Sequence, residues 1–348
     1  MSRIRALALL SGGLDSTLAI KLIQEQGIFV HALHFYTGFC ITEQKRKLGI
    51  KKEDGSQYMN PALKSAMQLG VPVEVVDVSE EYVNTLLNPK NGYGKNVNPC
   101  IDCRIMMLRK AKEIMDREGY HFVITGEVVG QRPMSQKLPT LKLIEKEASL
   151  EGYILRPLSA KLLPPTVPER MGWVDRERLL DIRGRGRKVQ ISLAKRYGLD
   201  YEQPAGGCCY LTDPSYTLKF KETLIREGSI TREDLVLLSM GRHLRLPSGI
   251  KLVVARNEGE VNFLSGFKNR YGYAQREDQK GTLVIIKGVP REEEYPLIAG
   301  VVCRYSKREP AKVIIKVKEE ERVIPGEPLE DEILESFKIL KGASYGVG

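Results

Sequence analysis

The sequence predicts an α/β protein: a doubly wound parallel sheet at the N-terminus, a helical linker, and a small β-rich C-terminal domain. Three observations predict it. The apolar run Ala6-Leu7-Ala8-Leu9-Leu10 leads through a glycine turn into an amphipathic stretch, Thr17 to Gln26, and a second apolar run fills 28–35. Such β-α-β alternation belongs to parallel sheets, whose ligands sit at the carboxyl ends of the strands. From Gly241 onward the pattern changes to short β-branched runs separated by Gly and Pro. Finally, 348 residues exceed what one hydrophobic core usually organises. The expected domains are 1–160, 161–240 and 241–348.

Taken in order, residues 4–10 read as the first strand, 15–26 as the first helix and 28–35 as a second strand. The polar, Gly-containing stretch 37–60 reads as a mobile loop over the site. A helix at 61–69 and a strand at 71–78 follow, then an irregular Asn/Gly/Pro loop at 88–99. Residues 105–117 alternate apolar and basic positions at helical spacing, so Cys100 and Cys103 stand at a helix start, where the dipole lowers a thiol pKa. Residues 121–125 read as a strand with Gly126-Glu127 to Gln136 at its carboxyl end, and 154–158 as a further strand and turn. The Pro-rich 161–168 marks a boundary. Residues 175–197 and 215–240 read as helical, the first broken at Gly184 and Gly186. Strands are expected to begin at Leu252, Thr282, Ala299 and Lys312.

The chemistry starts in Ser11-Gly12-Gly13-Leu14-Asp15-Ser16. Two glycines let the backbone approach a ligand. The helix start offers unpaired N–H groups and a positive dipole end to an anion. Ser11 and Ser16 add hydroxyls, and Asp15 can hold a cation such as Mg²⁺. No lysine follows the glycines and the spacing is not G-x-G-x-x-G, so neither common nucleotide motif applies.

Composition is globular, 42% hydrophobic and 28% charged, and no apolar run approaches the roughly 18 residues of a membrane span. A cytoplasmic location without membrane contact is expected. The net charge of +10 fits a polyanionic partner. The densest basic patch, Arg183, Arg185, Arg187, Lys188, Lys195 and Arg196 beside Tyr197 and Tyr201, reads as an RNA-backbone surface or a solvated helix face.

Six cysteines are too few for a disulfide scaffold. Cys100-x-x-Cys103 with Cys208, or with Cys209 as its alternative, reads as the metal-binding and catalytic thiol set. Three thiolates suit a [4Fe–4S] cluster with one iron open; all four would suit Zn²⁺; a redox or persulfide pair is the third reading. Cys40 and Cys303 read as lone packing thiols.

These residues carry a resemblance. Ser11–Ser16 resembles the SGG-x-DS loop of the PP-loop ATP pyrophosphatases. Thr125-Gly126-Glu127 with Gly130-Gln131 and Ser135-Gln136, the cysteine pair, and Arg156-Pro157-Leu158 resemble further signatures of the tRNA thiouridine synthetases among them. The C-terminal part resembles the RNA-binding domain of NFACT proteins. The resemblance implies ATP with Mg²⁺ on Ser11, Gly12, Gly13, Asp15 and Ser16, an adenine pocket at His34 and Phe35, and Gly126 close to the nucleotide. It implies tRNA as partner, a base carbonyl adenylated and then displaced by sulfur from sulfide or a carrier protein, and Asp15, Cys100, Cys103 and Cys208 as catalytic residues. Arg156 would neutralise a phosphate or pair with an acid. The oligomeric state stays open. The rivals are a small-molecule PP-loop ligase or amidase with a structural zinc and a non-catalytic RNA-binding adaptor.

Overall fold

The computed structural model describes residues 4–201 and 209–339. The chain forms two compact units, one built from the residues up to Glu43 and Tyr58–Thr212, the other from Gln44–Gln57 and the residues from Asp213 on. The stretch 161–240 is thus divided between the two units at Thr212.

The first unit runs β1 (Arg5–Leu9), α1 (Leu14–Gln24), β2 (Phe29–Tyr36), α2 (Ile41–Lys47, which leads into the second unit), α3 (Pro61–Leu69), β3 (Val73–Asp77), α4 (Ser79–Leu87), α5 (Cys100–Glu118), β4 (Phe122–Ile124), α6 (Leu138–Glu147), β5 (Ile154–Leu155), α7 (Val167–Arg170) and α8 (Lys188–Arg196). Its five strands lie in the order β3-β2-β1-β4-β5, with every pairing parallel. β1 is central and buried on both sides, which is why it reads as a continuous apolar run. Its alternate side chains divide between two cores. Ala6, Ala8 and Leu10 pack with Ala19, Ile20 and Ile23 of α1 and Ala62 and Ala66 of α3. Leu7 and Leu9 pack with Ile105, Leu108 and Ala111 of α5 and Ile144 of α6. α3 begins where the Asn60 side chain accepts from the Ala62 and Leu63 N–H groups with Pro61 at the first turn.

The second unit contains α9 (Pro214–Glu227), α10 (Arg232–Leu238), β6 (Arg242–Arg245), β7 (Lys251–Val254), α11 (Glu258–Ser265), β8 (Gly272–Arg276), β9 (Leu283–Lys287), α12 (Tyr295–Tyr305), β10 (Ala311–Val317), β11 (Glu320–Gly326) and α13 (Asp331–Phe337). Its antiparallel sheet has the order β11-β10-β8-β9-β7-β6. One face packs on α12 and α13, with Val313, Ile315 and Val284 against Ile298, Val302 and Phe337. On the other, Leu237 of α10 and Leu264 of α11 cover Val253, Leu283 and Ile285.

Three expectations change. Ala299-Gly-Val-Val-Cys is not a strand but the middle of α12. The run is buried all round, and a short apolar run has no period to separate helix from strand. Residues 175–197 are helical only at Arg176–Arg178, a single 3₁₀ turn, and in α8. Between them the chain runs alongside Val129, with Arg183 in a parallel bridge and the Gly184 N–H donating to the Val129 carbonyl at 2.8 Å. Gly184, at φ 78°, supplies the turn that a side chain would resist. The stretch 37–60 includes α2, and α4 and α6 lie where no helix was expected.

Candidate nucleotide and thiol site

The site grows from two glycines that admit no side chain. Gly12 has φ 77°, and a Cβ there would lie 2.2 Å from the Pro61 carbonyl carbon at the start of α3. A Cβ on Gly126, beyond β4, would lie 2.4 Å from the Ser16 nitrogen. The expectation for Gly126 was closeness to a nucleotide; what it meets is the backbone of Asp15 and Ser16. The ends of β1 and β4 are thereby pressed together at the point where the strand order reverses, the place where doubly wound sheets bind ligands.

The loop is cross-braced from within. The Ser11 and Ser16 hydroxyls lie 3.1 Å apart, and the Gly13 N–H donates to Ser11 Oγ at 3.3 Å. Thr17 Oγ1 donates to the Gly13 carbonyl at 3.0 Å and lies 3.1 Å from Ser65 Oγ. This holds open the first turn of α1, whose leading N–H groups have no partner inside the helix. Asp15 Oδ2 lies 4.0 Å from the Arg187 guanidinium, while Asp15 Oδ1 is buried without a hydrogen-bond partner among the described residues. A buried carboxylate oxygen left unpaired in this way suits a hard cation.

Three arginines surround this point. Arg132 feels Arg104 and Arg187 as repulsion and Asp15 and Cys100 as attraction; burial, with that repulsion added, lowers its pKa. Arg132 forms no ion pair among the described residues and stands in electrostatic reach of both the loop and the cysteine pair. Arg104 is 3.2 Å from Glu127 Oε1, and Arg156 is 3.0 Å from Glu127 Oε2. Burial alone would raise the Glu127 carboxyl; the two guanidinium groups outweigh it and hold the pKa below the usual range. Arg156 also pairs with Glu145, so of its two anticipated roles it takes the acid partner. Gln190 is fully buried in α8, and neither end of its amide has a partner.

His34 and Phe35 part company, because neighbouring strand residues face opposite sides. His34 Nδ1 lies 3.1 Å from the Leu10 carbonyl and its Nε2 3.2 Å from Asn60 Nδ2, on the α1 side. Burial lowers its pKa, so the neutral ring donates through Nδ1 and accepts through Nε2. Phe35 packs with Leu33 and Ile101 in the α5-side core. The two cannot line one pocket.

Cys100 opens α5 and Cys103 stands one turn on. Tyr82, fully buried on α4, hydrogen-bonds the Cys103 sulfur and lies against Phe39 with ring centroids 5.5 Å apart. Cys209 is in electrostatic range of Cys103 and Cys40. Cys40 and Cys209 form a backbone bridge, tightened by the Tyr210 N–H donating to the Phe39 carbonyl at 2.9 Å. Cys40, read from sequence as a lone thiol, therefore stands with the others; its distance along the chain concealed this. Cys208 lies outside the described residues.

The thiols are not activated as their helix-start position suggested. Burial raises Cys100 and Cys103, against the pull of Arg132 and Arg104 on the first and of Tyr82 and Arg104 on the second. Burial pushes Cys209 up to about 12. Desolvation of a thiolate exceeds a helix-terminal charge of about half a unit. Among the described residues no three His, Cys, Asp or Glu side chains are grouped to hold a metal ion. The thiol donors themselves nevertheless fit a soft thiolate-bound group such as an iron–sulfur cluster or zinc.

The first unit is a parallel α/β sheet with a glycine loop at its reversal point, followed by an antiparallel β-rich unit. Residues 2–161 match the family of the thiamine biosynthesis protein (ThiI), and residues 241–338 match the NFACT protein RNA binding domain. A tRNA-specific 2-thiouridylase MnmA of Thermotoga maritima is 26% identical over 341 residues, covering 90% of this chain and 88% of its own. That of Petrotoga mobilis is 25% identical over 307 residues, covering 85% and 77%. A probable tRNA sulfurtransferase of Thermococcus kodakarensis is 28% identical over 156 residues, covering 44% of this chain and 36% of its own. Among the described residues no helix is long and apolar enough to cross a membrane.

Proposed function

We propose that this protein is an ATP-dependent tRNA sulfurtransferase that converts a uridine to a thiouridine. The observation that carries the reading is the glycine loop at the reversal point of the sheet, held between β1 and β4 at Gly12 and Gly126, with Asp15 Oδ1 buried and without a hydrogen-bond partner among the described residues. The thiouridylase and sulfurtransferase relatives support the same chemistry.

In this reading ATP places its phosphates over the first turn of α1, and Asp15 would hold a Mg²⁺ ion, which would neutralise phosphate charge. The uridine is unstacked, since its edge is out of reach within a helix. Its carbonyl oxygen attacks the α-phosphorus, and the bond to the β-phosphate oxygen breaks. Pyrophosphate leaves with the electron pair, stabilised by the loop N–H groups, Arg132 and Arg187. A sulfur nucleophile then adds to the adenylated carbon, and AMP departs with the former carbonyl oxygen. Cys100, Cys103 and Cys208 or Cys209 would hold a [4Fe–4S] cluster, which supplies an open iron for sulfide. The high thiol pKa values favour ligands that ionise on binding metal over free thiolates. Glu127 and Arg156 fix the backbone beyond β4.

The test is anaerobically purified protein with unmodified tRNA, Mg-ATP and sulfide, followed by nucleoside mass spectrometry. A thionucleoside that depends on ATP and vanishes in Cys100→Ala is expected. AMP release without any thionucleoside would overturn the reading and favour a small-molecule ligase.

A further inference from the structure

The irregular segment between α4 and α5 leads into the cysteine pair and is anchored along its whole length. The Asn91 N–H donates to Asp102 Oδ2 and the Asn91 side-chain amide to Asp102 Oδ1, each at 3.0 Å. Asp102 stands between Cys100 and Cys103 in the first turn of α5. Tyr93 donates its hydroxyl to the Leu86 carbonyl, in the last turn of α4, at 2.6 Å. The Asn98 carbonyl accepts from the Gly94 N–H at 2.8 Å and from the Cys100 N–H at 2.9 Å. Val97 is buried.

Two residues of the segment do more than connect. Asn96 has φ 59°, a left-handed backbone that asparagine tolerates better than most side chains. From there its amide donates to the Thr212 carbonyl at 2.7 Å. Thr212 in turn donates twice to the Cys209 carbonyl, from its N–H at 3.1 Å and from its hydroxyl at 2.8 Å. Gly94 is a glycine for a different reason. Its backbone is not left-handed, but a Cβ there would lie 3.0 Å from Cys100 Sγ and 3.6 Å from Met134 Cγ. The elements so joined all bear on the thiols. Tyr82 of α4 hydrogen-bonds the Cys103 sulfur, α5 opens with the cysteine pair, and the turn Tyr210–Thr212 follows Cys209.

We propose that this segment is a clamp that sets the spacing between the C-x-x-C turn and the Cys209 segment, with Asn96 as its positioning residue and Gly94 as the clearance beside the Cys100 sulfur. Chain connectivity does not set that spacing, because β4, α6, β5, α7 and α8 all intervene between Cys103 and Cys209. Thiols that act together, on one soft metal group or on one sulfur atom, must stand within bonding reach of each other. Groups that only orient such ligands typically matter about 10–100-fold in metal affinity or activity. Asn96 meets the need with one bond: its donor is fixed by a constrained backbone, and its acceptor belongs to the residue that holds Cys209. The proposal rests on the reading of these thiols as a sulfur site, and the spacing itself is measured without turnover.

Full-length reduced protein is treated anaerobically with dibromobimane, which joins neighbouring thiols, and the linked peptides are quantified by mass spectrometry. The Cys100–Cys103 link lies within one helical turn and is the internal reference; the Cys103–Cys209 link reads the clamp. Asn96→Ala should lower the second link about tenfold relative to the first. Asn96→Gly, which accepts the left-handed backbone without strain, should do the same while its circular dichroism matches the wild type. Gly94→Ala should slow alkylation of Cys100 by iodoacetamide severalfold and leave that of Cys209 unchanged. With tRNA, Mg-ATP and sulfide, Asn96→Gly should lose about tenfold in kcat for thionucleoside while the KM for ATP stays within twofold. An unchanged ratio of links in Asn96→Gly, or no Cys103–Cys209 link in the wild type, overturns the clamp. A lowered ratio with full thiolation overturns its bearing on the reaction. A wild type that forms no thionucleoside overturns the sulfurtransferase reading instead, and the lowered ratio still supports the clamp.

Discussion

The buried charge network of the second unit and the glycine loop of the first treat their polar groups in opposite ways. In the second unit, Lys251 is fully buried, but it pairs with Glu222 at 3.1 Å. Glu222 also takes Arg245 at 2.7 Å, Arg245 takes Glu227 at 3.2 Å, and Lys287 joins Glu227 at 2.8 Å and also pairs with Asp234. Every member has an opposite charge. Around the loop, Asp15 Oδ1 and both ends of the Gln190 amide are buried with no hydrogen-bond partner among the described residues, and Arg132 has no ion pair among them. A buried unpaired polar atom costs about 1–3 kcal/mol, so it persists where something else completes it. In the proposed reading the paired network holds a fold, and the unpaired groups around the loop are completed by a ligand.

The sharpest way to break the contrast is at the loop. Gly12→Ala should reduce ATP-dependent AMP formation at least a hundredfold, because its Cβ would meet the α3 backbone at 2.2 Å. Urea unfolding should also show a loss, because α3 must shift to admit the Cβ, so AMP formation is compared at temperatures where the variant is fully folded. If activity survives, the loop is not the nucleotide site. Next comes Glu222→Ala, which leaves Lys251 and Arg245 without their shared carboxylate. It should cost about 3–5 kcal/mol in urea unfolding while sparing nucleotide binding to the first unit. A loss under 1 kcal/mol would show that the network is not structural.

Smaller effects sharpen it further. Lys219 and Lys251 are both lowered to about 8, chiefly by burial. A lysine lowered in the folded state binds its proton less well than in the unfolded chain. Its penalty is full below about pH 8 and is relieved as pH rises toward 10.5. These lysines should therefore make the second unit more stable between pH 8 and 10, and Lys219→Met should flatten that rise in thermal melts. An unchanged slope would remove Lys219 from the balance. The least effect is expected from Tyr82→Phe, which keeps the ring against Phe39 and removes one hydrogen bond from the Cys103 sulfur. Alkylation of Cys103 near neutral pH should slow two- to threefold; unaltered kinetics would assign Tyr82 to packing alone.

Much of the first unit was legible because its signals are local. A glycine turn between an apolar run and an amphipathic helix announces itself, as does a C-x-x-C pair behind a proline. The harder parts were those that sequence separates. Cys40 reaches Cys209 through a bridge between distant segments, and Arg187 reaches Asp15 because the chain past Val129 is extended where its composition suggested helix. The resemblance placed Phe35 with His34 in one pocket, and strand alternation turns the two side chains to opposite faces. In the second unit, burial on every side erased the period of α12 and made it resemble a strand.

The second unit also has a history in time. Its segment Gln44–Gln57 precedes the rest of it by the whole span Tyr58–Thr212. Gln44 donates to Ser239 Oγ at 2.6 Å, and Leu48 packs with the core beside α11, its carbonyl so close to Gly259 that a Cβ there would clash. During synthesis this segment leaves the ribosome early and waits, its apolar residues uncovered, until the C-terminal strands arrive. Chains normally fold unit by unit as they emerge; here the second unit cannot close until the segment from Asp213 onward has joined Gln44–Gln57, and a fragment that begins at Asp213 starts life without part of its own core.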